Sequence, residues 1–255
     1  MHKLLCWVLL SLISIPLFSQ SKTVSCDTIT WFDVARNRKI PVAIFKPKTF
    51  SKTKKYTVVI FNHGYGQNDG TAYLHYTYLT NFLAENGFFV LSIQHELTTD
   101  SLIPTSGIPQ IVRRPFWERG VVNIHFAIDQ LKLQYPRLDF KNLSLIGHSN
   151  GGDITALFGQ KYPNLVHKLI TLDNRRMSLP RTKLPKIYTL RSSDQPADEG
   201  VLPNEFEQKK WSIQIICFLI LPTTTWTITL TNAKEKRFKL TFYIFYNLMI
   251  EFCKS

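Results

Sequence analysis

The chain has 255 residues and a formal net charge of +13, with 44% hydrophobic and 13% aromatic residues. That composition excludes a disordered polymer and is enough for one large domain with a sizeable core. The basic residues are scattered and no nucleic-acid-binding motif accompanies them, so the excess charge reads as a general affinity for anionic surfaces and not as a nucleic-acid site.

Met1-His2-Lys3 gives a basic start, residues 4–18 are almost wholly apolar, and small residues stand at Ser19 and Ser21. This is the pattern of a secretory signal over residues 1–20, with cleavage near 19–21. It predicts a secreted or periplasmic protein. The apolar run is shorter than the roughly 20 residues a stable membrane span needs. Of the four cysteines, Cys6 falls in the signal. Cys26, Cys217 and Cys253 are an odd number without metal-ligand spacing, so neither a metal nor a cofactor is expected.

Residues 28–36 and 40–45 alternate around Asn37-Arg38 as a hairpin would. A basic turn over 47–55 leads to YTVVIFN at 56–62, a continuous β-branched and aromatic run expected of a strand buried on both faces. His63-Gly64-Tyr65-Gly66 ends it. A helix is predicted over 71–85, closed by Asn86-Gly87, and a second buried strand over 88–94. Residues 97–117, with three prolines, form a long loop or small cap. Val121, Ile124, Ile128 and Leu131 share one face of a predicted helix over 117–133. Strands at 142–146, 168–172, 186–191 and 212–216 then alternate with helices at 150–161 and 203–210. Alternating strands and helices imply parallel βαβ units, with a sheet covered on both faces.

Gly147-His148-Ser149-Asn150-Gly151 fits G-x-S-x-G. It follows a buried strand and opens a helix, the context in which a serine sits exposed on a sharp turn. Ser149 is therefore the candidate nucleophile. The adjoining helix N-terminus adds partial positive charge. Acyl transfer also needs donors aimed at the developing oxyanion. The amide of Asn150, next after the serine, and that of Tyr65, in the loop after the earlier strand, are the candidates.

With these segments in view, the chain resembles α/β-hydrolases near the dienelactone hydrolase, platelet-activating-factor acetylhydrolase and chlorophyllase groups. Four stretches carry the likeness: WFDVARNRKIPVAIFKP, FNHGYGQN, LIGHSNGG and LRSSDQPADEGVLP, together covering roughly 28–216. The resemblance implies an α/β-hydrolase fold over 21–216. It also implies an esterase-like reaction through an acyl-serine, on a small-molecule ester or lipid-like substrate. Arg113, Arg114 and Trp117 of the cap loop are candidates for shaping its pocket. In this fold the acid follows the serine and the histidine follows the acid. Asp194, three residues beyond the strand at 186–191, has the usual offset for the acid. Asp198 is the alternative, and Asp173 comes too early in the order.

No histidine follows either. The seven histidines are residues 2, 63, 75, 95, 125, 148 and 167. His148 is turned away by the elbow, His63 belongs to the oxyanion strand, and His95 is the least implausible substitute. The tail from 217 to 255 is also atypical, rich in threonine and aromatic residues and without an amphipathic closing helix. If Pro222 to Thr227 are read from the third base of the proline codon, each threonine's AC completes a shifted codon. The shifted reading admits His-Asn-Asp-Met-Asp where the base belongs. A frameshift between about 212 and 222 is therefore a second reading of the tail. It implies a catalytically impaired hydrolase fold, acting as a binding protein or as a non-functional product. Acyl transfer on the same serine is a third reading, inseparable from hydrolysis by sequence.

Overall fold

The computed structural model describes residues 24–217 and 247–253. The signal expected at 1–20 and most of the tail, including the stretch on which the shifted-frame reading falls, lie outside the described residues.

Eight strands form one sheet in the order β1-β2-β4-β3-β5-β6-β7-β8. In the chain they are β1 (Val24–Asp33), β2 (Arg38–Pro47), β3 (Thr57–Asn62), β4 (Phe89–Ile93), β5 (Asp139–His148), β6 (Lys168–Leu172), β7 (Lys186–Arg191) and β8 (Gln214–Cys217). β1 pairs antiparallel with β2 and β2 with β4, and every later pairing is parallel. β3 and β4 are wholly or almost wholly buried, which explains their unbroken apolar runs. The hairpin at 28–45 forms as expected. Its turn is a short 3-10 segment closed by Asn37 in the left-handed region, with Asp33 accepting from the Arg36 amide at 3.3 Å.

Five α-helices accompany the sheet: α1 (Thr77–Glu85), α2 (Pro109–Val112), α3 (Arg114–Gln134), α4 (Asn150–Lys161) and α5 (Glu205–Trp211). Trp117, Val121, Ile124, Ile128 and Leu131 of α3 join Leu157 and Phe158 of α4 in the core on one face. A Cβ at Gly120 would meet Ile154 Cδ1 at 2.6 Å, so the close α3–α4 contact requires glycine there. On the other face Leu79 and Leu83 of α1 pack beside Met249 and Phe252 of the helical residues 247–253. Phe252 stacks on Tyr188 with ring centroids 4.1 Å apart.

The single helix expected over 71–85 is instead a 3-10 turn at Ala72–Leu74 followed by α1. The cause is tertiary. The Tyr73 amide donates to the Gln94 side chain at 3.0 Å and its carbonyl accepts from Ser92 Oγ at 2.7 Å. These bonds tie the first turn to β4 and its exit. The loop at 97–117 contains the short helix α2, and α3 begins three residues before the predicted 117. α5 opens on a capping box between Asn204 and Glu207.

The strand registers bring the carboxyl ends together. Asn62 lies opposite both Ile93 and Gly147, His148 opposite Leu172, Leu172 opposite Leu190, and Arg191 opposite Cys217. The connections that leave β3, β4, β5, β6 and β7 therefore start from one edge of the sheet, where ligands bind in open parallel sheets.

Candidate active site

Ser149 joins β5 to α4 with φ 49° and ψ −117°. A non-glycine residue with positive φ costs about 1–3 kcal/mol and persists only where its surroundings dictate it. Here they do. The Ser149 amide continues the β5–β6 ladder by donating to Leu172 O at 2.8 Å, and its carbonyl accepts the Asp153 amide at 3.0 Å to open α4. A Cβ at Gly147 would come within 2.2 Å of Gly151 O, and one at Gly151 within 2.2 Å of Asn62 O. The two glycines of the motif are steric necessities: the turn folds back on itself at one and against the end of β3 at the other.

The loop after β3, the candidate oxyanion loop, is bound to this turn through Tyr76. Its hydroxyl accepts the Gly64 amide at 3.2 Å and lies 2.6 Å from His148 Nδ1. Burial drives the Tyr76 hydroxyl further above its ordinary pKa, so it stays protonated and donates to Nδ1. Tyr65 sits one residue beyond this anchor, its own hydroxyl accepting the Ile103 amide of the cap loop at 3.1 Å. Asn150, as the first residue of α4, has an N–H with no carbonyl partner inside the helix.

Three histidines stand near this edge, and all three are buried and committed. His63 Nδ1 donates to Gly64 O at 2.7 Å, and its Nε2 accepts the His95 amide at 3.1 Å. His95 Nε2 meets Asn62 Oδ1 at 3.0 Å, while Asn62 Nδ2 donates to Thr155 Oγ1 at 2.8 Å. Burial lowers His63 and His148 to about 4 and His95 well below its ordinary value, so all are neutral at pH 7. Asp173 partly opposes that shift at His148. They act as hydrogen-bonding struts. His75 and His125 pair at the surface with Asp69 and Asp129, at 3.1 and 3.3 Å.

Asp194 lies on an exposed loop after β7, with Oδ1 accepting from Ser192 Oγ at 3.0 Å. Asp198 pairs with Arg176, which holds its carboxyl below the usual range, and takes a 3.4 Å contact from Gln110 Nε2. Asp173 directly follows β6 and is 1% exposed, with φ 51°. Its Oδ1 accepts the Ser192 amide at 2.7 Å and lies 3.9 Å from Arg191 Nε.

In the cap, Arg113 Nε donates to Pro104 O at 3.1 Å, and Arg114 pairs with Glu118 at 2.7 Å. Trp117 is fully buried, and its indole N–H donates to Asn150 Oδ1 at 2.9 Å. Two buried acids went unnoticed in the sequence. Asp153, in the first turn of α4, accepts the amides of Arg175, Arg176 and Met177 at 3.1, 2.9 and 2.9 Å and so pins the loop after Asp173. Burial raises it to about 6. Glu96 accepts from Asn150 Nδ2 at 3.1 Å. Its only signal was the polar run Gln94-His95-Glu96 at the carboxyl end of an apolar strand. Among the described residues no group of histidine, cysteine and acidic side chains could hold a metal, and no helix is long and apolar enough to cross a membrane. Cys26 and Cys217 are exposed free thiols, and Cys253 is a buried one.

No family model and no curated protein matches the chain. Solved structures do. An esterase from the fungus Rhizomucor miehei superposes with a TM-score of 0.66 at 13% identity, over 93% of this chain and 84% of that one. Brefeldin A esterase, a bacterial homologue of human hormone sensitive lipase, gives 0.62 at 12% identity, over 94% and 79%. Esterase Est22 gives 0.60 at 15%, over 91% and 82%. At such identities the likeness speaks to architecture, and with the mostly parallel eight-stranded sheet it establishes that this chain has the α/β-hydrolase fold.

Proposed function

We propose that the chain is a secreted serine hydrolase that cleaves small carboxylic esters through an acyl-enzyme on Ser149. The observation that carries this reading is the strained turn at Ser149, held at positive φ between β5 and α4 with glycine sterically required on either side. Such strain is kept where a side chain must be presented at a defined place. In this reading Ser149 Oγ attacks the ester carbonyl and gives up its proton to solvent water, and the amides of Tyr65 and Asn150 hold the oxyanion. Collapse breaks the ester C–O bond, so that the alkoxide leaves as the alcohol after taking a proton from water. The fold's esterase neighbours support the substrate class.

The acid is drawn from Asp194 and Asp173. Asp194 has the position in chain order; Asp173 has the burial beside the nucleophile turn that lets a carboxylate orient a base. Asp198 is the weaker choice because Arg176 occupies it.

One observation favours a second reading, a hydrolase fold of impaired turnover. No histidine follows residue 167, and those at 63, 95 and 148 are buried and committed to other hydrogen bonds. Hydrolysis of p-nitrophenyl acetate by the purified chain and by Ser149→Ala decides between them. The esterase reading expects the alanine variant to fall to the buffer rate, and Asp173→Asn or Asp194→Asn to identify the acid by the larger loss. Equal rates in parent and Ser149→Ala would leave only the impaired fold.

A further inference from the structure

Glu96 stands three residues beyond β4 and is 1% exposed. Its Oε1 accepts from Asn150 Nδ2 at 3.1 Å. The other end of the same amide, Asn150 Oδ1, accepts the Trp117 indole N–H at 2.9 Å. Both polar ends of one side chain are thus gripped by two buried residues, one from the β4 exit and one from α3. The grip also fixes which way the amide lies. Reversed, its NH₂ would face an indole N–H and its oxygen a carboxyl oxygen. Asn150 is the residue whose backbone N–H emerges beside Ser149 at the start of α4, so whatever holds its side chain holds the direction of that N–H.

The second carboxyl oxygen, Oε2, is buried without a hydrogen-bond partner and lies 3.8 Å from His63 Nε2, whose lone pair already takes the His95 amide. Arg38 from β2, His63 from the end of β3, His95 from the end of β4, Asp100 from the cap loop and Arg119 from α3 face this region. Burial outweighs the two arginines and raises the Glu96 carboxyl to about 7. A buried carboxyl oxygen without a protein partner calls for an explanation.

We propose that Glu96 and Trp117 are positioning residues that aim the Asn150 amide at the oxyanion through its side chain, and that negative charge on Glu96 opposes the oxyanion they help to hold. The proposal rests on the Ser149 reading and adds to it the residues that set the oxyanion hole. With Glu96 neutral, Oε1 still accepts from Asn150 and the hole faces no opposing charge. With Glu96 ionised, the bond to Asn150 is stronger. A full negative charge then stands one side chain away from a second one forming in a low-dielectric site, and the repulsion is the larger effect.

The test uses the full chain with p-nitrophenyl acetate, subtracting the Ser149→Ala rate. At pH 6, where Glu96 is mostly neutral, Glu96→Ala and Trp117→Phe each release one end of the Asn150 amide and should lower kcat about tenfold with KM unchanged, since the interaction acts on the transition state. Glu96→Gln retains an acceptor and should recover most of that loss. Because glutamine cannot ionise, the ratio of its rate to that of the parent should rise about fivefold between pH 6 and pH 8. A flat ratio, or losses that fall on KM, overturns the proposal. A second readout needs no turnover. In ¹⁵N-labelled protein the Trp117 indole resonance, assigned with Trp117→Phe, should shift with a midpoint near 7 and stay fixed in Glu96→Gln. A silent indole overturns the Glu96–Asn150–Trp117 link whatever the esterase does. A Ser149-independent rate with a titrating indole overturns the esterase reading instead.

Discussion

The two halves of the sheet's carboxyl edge are built to different standards. β5 ends in six successive buried residues and hands Ser149 to a helix whose first ten residues are all buried. β8 is four residues long, exposed at both ends and half-buried between. The candidate nucleophile Ser149 and the loop after β3 sit on the first half, among struts such as Tyr76, His63 and Asn62. The base of a serine hydrolase belongs beyond the second, where this chain has no histidine. The difference teaches that a nucleophile turn is a local steric solution and survives on its own strand and helix. In the proposed hydrolase a complete catalytic set would also depend on a segment more than sixty residues away, which the turn's own contacts do not require.

The comparison can be broken from either side. The largest effect should come from supplying the missing group. A chain given the tail that the shifted frame admits, with His-Asn-Asp-Met-Asp from position 223, should gain about 10²–10⁴ in Ser149-dependent p-nitrophenyl acetate hydrolysis, the usual contribution of general acid–base catalysis. No gain would mean that the β8 half fails for more than want of an imidazole.

Next comes the turn itself. Gly151→Ala places a Cβ 2.2 Å from the Asn62 carbonyl. Backbone cannot yield there cheaply, and stability should fall by about 3 kcal/mol in urea titration. A loss under about 0.5 kcal/mol, the range of a neutral surface change, would show that the turn is looser than its contacts imply.

The smallest effect concerns pH. His63 and His148 have folded pKa values lowered from 6.5 to about 4. Below 6.5 the unfolded chain binds protons that the folded chain refuses, so stability falls as pH drops from 6.5 towards 4. Glu96, raised from 4.5 to about 7, works in the opposite sense: the folded chain keeps a proton the unfolded chain releases, and that contribution is lost as pH rises from 4.5 through 7. The two trends offset one another across the shared window. Glu96→Gln removes one of them, so its stability should decline more steeply than the parent's between pH 6.5 and 4.5, by about 2 kcal/mol. Parallel pH profiles would show that Glu96 does not titrate inside the fold.

The sequence by itself determined the order of strands and helices, the tight strand-to-helix turn at Ser149 and the absence of a histidine after residue 167, because each is written in contiguous residues. Apolar runs name buried strands, and two glycines around a serine name a turn whose backbone must touch itself. Only the tertiary structure decided what surrounds that turn. Asp173 came too early in the chain order to be counted as the acid, yet the β5–β6 pairing sets it beside Ser149 and buries it. Trp117 counted as a pocket candidate, and the packing of α3 on α4 turned its indole N–H to the Asn150 side chain. Glu96 lies 54 residues from Asn150 in the chain and 3.1 Å from it in space. Such contacts follow from sheet order, since β4 and β5 both flank β3 and all three end at one level. Strand order is a sum of many weak burial preferences along the whole chain, and no short stretch records it.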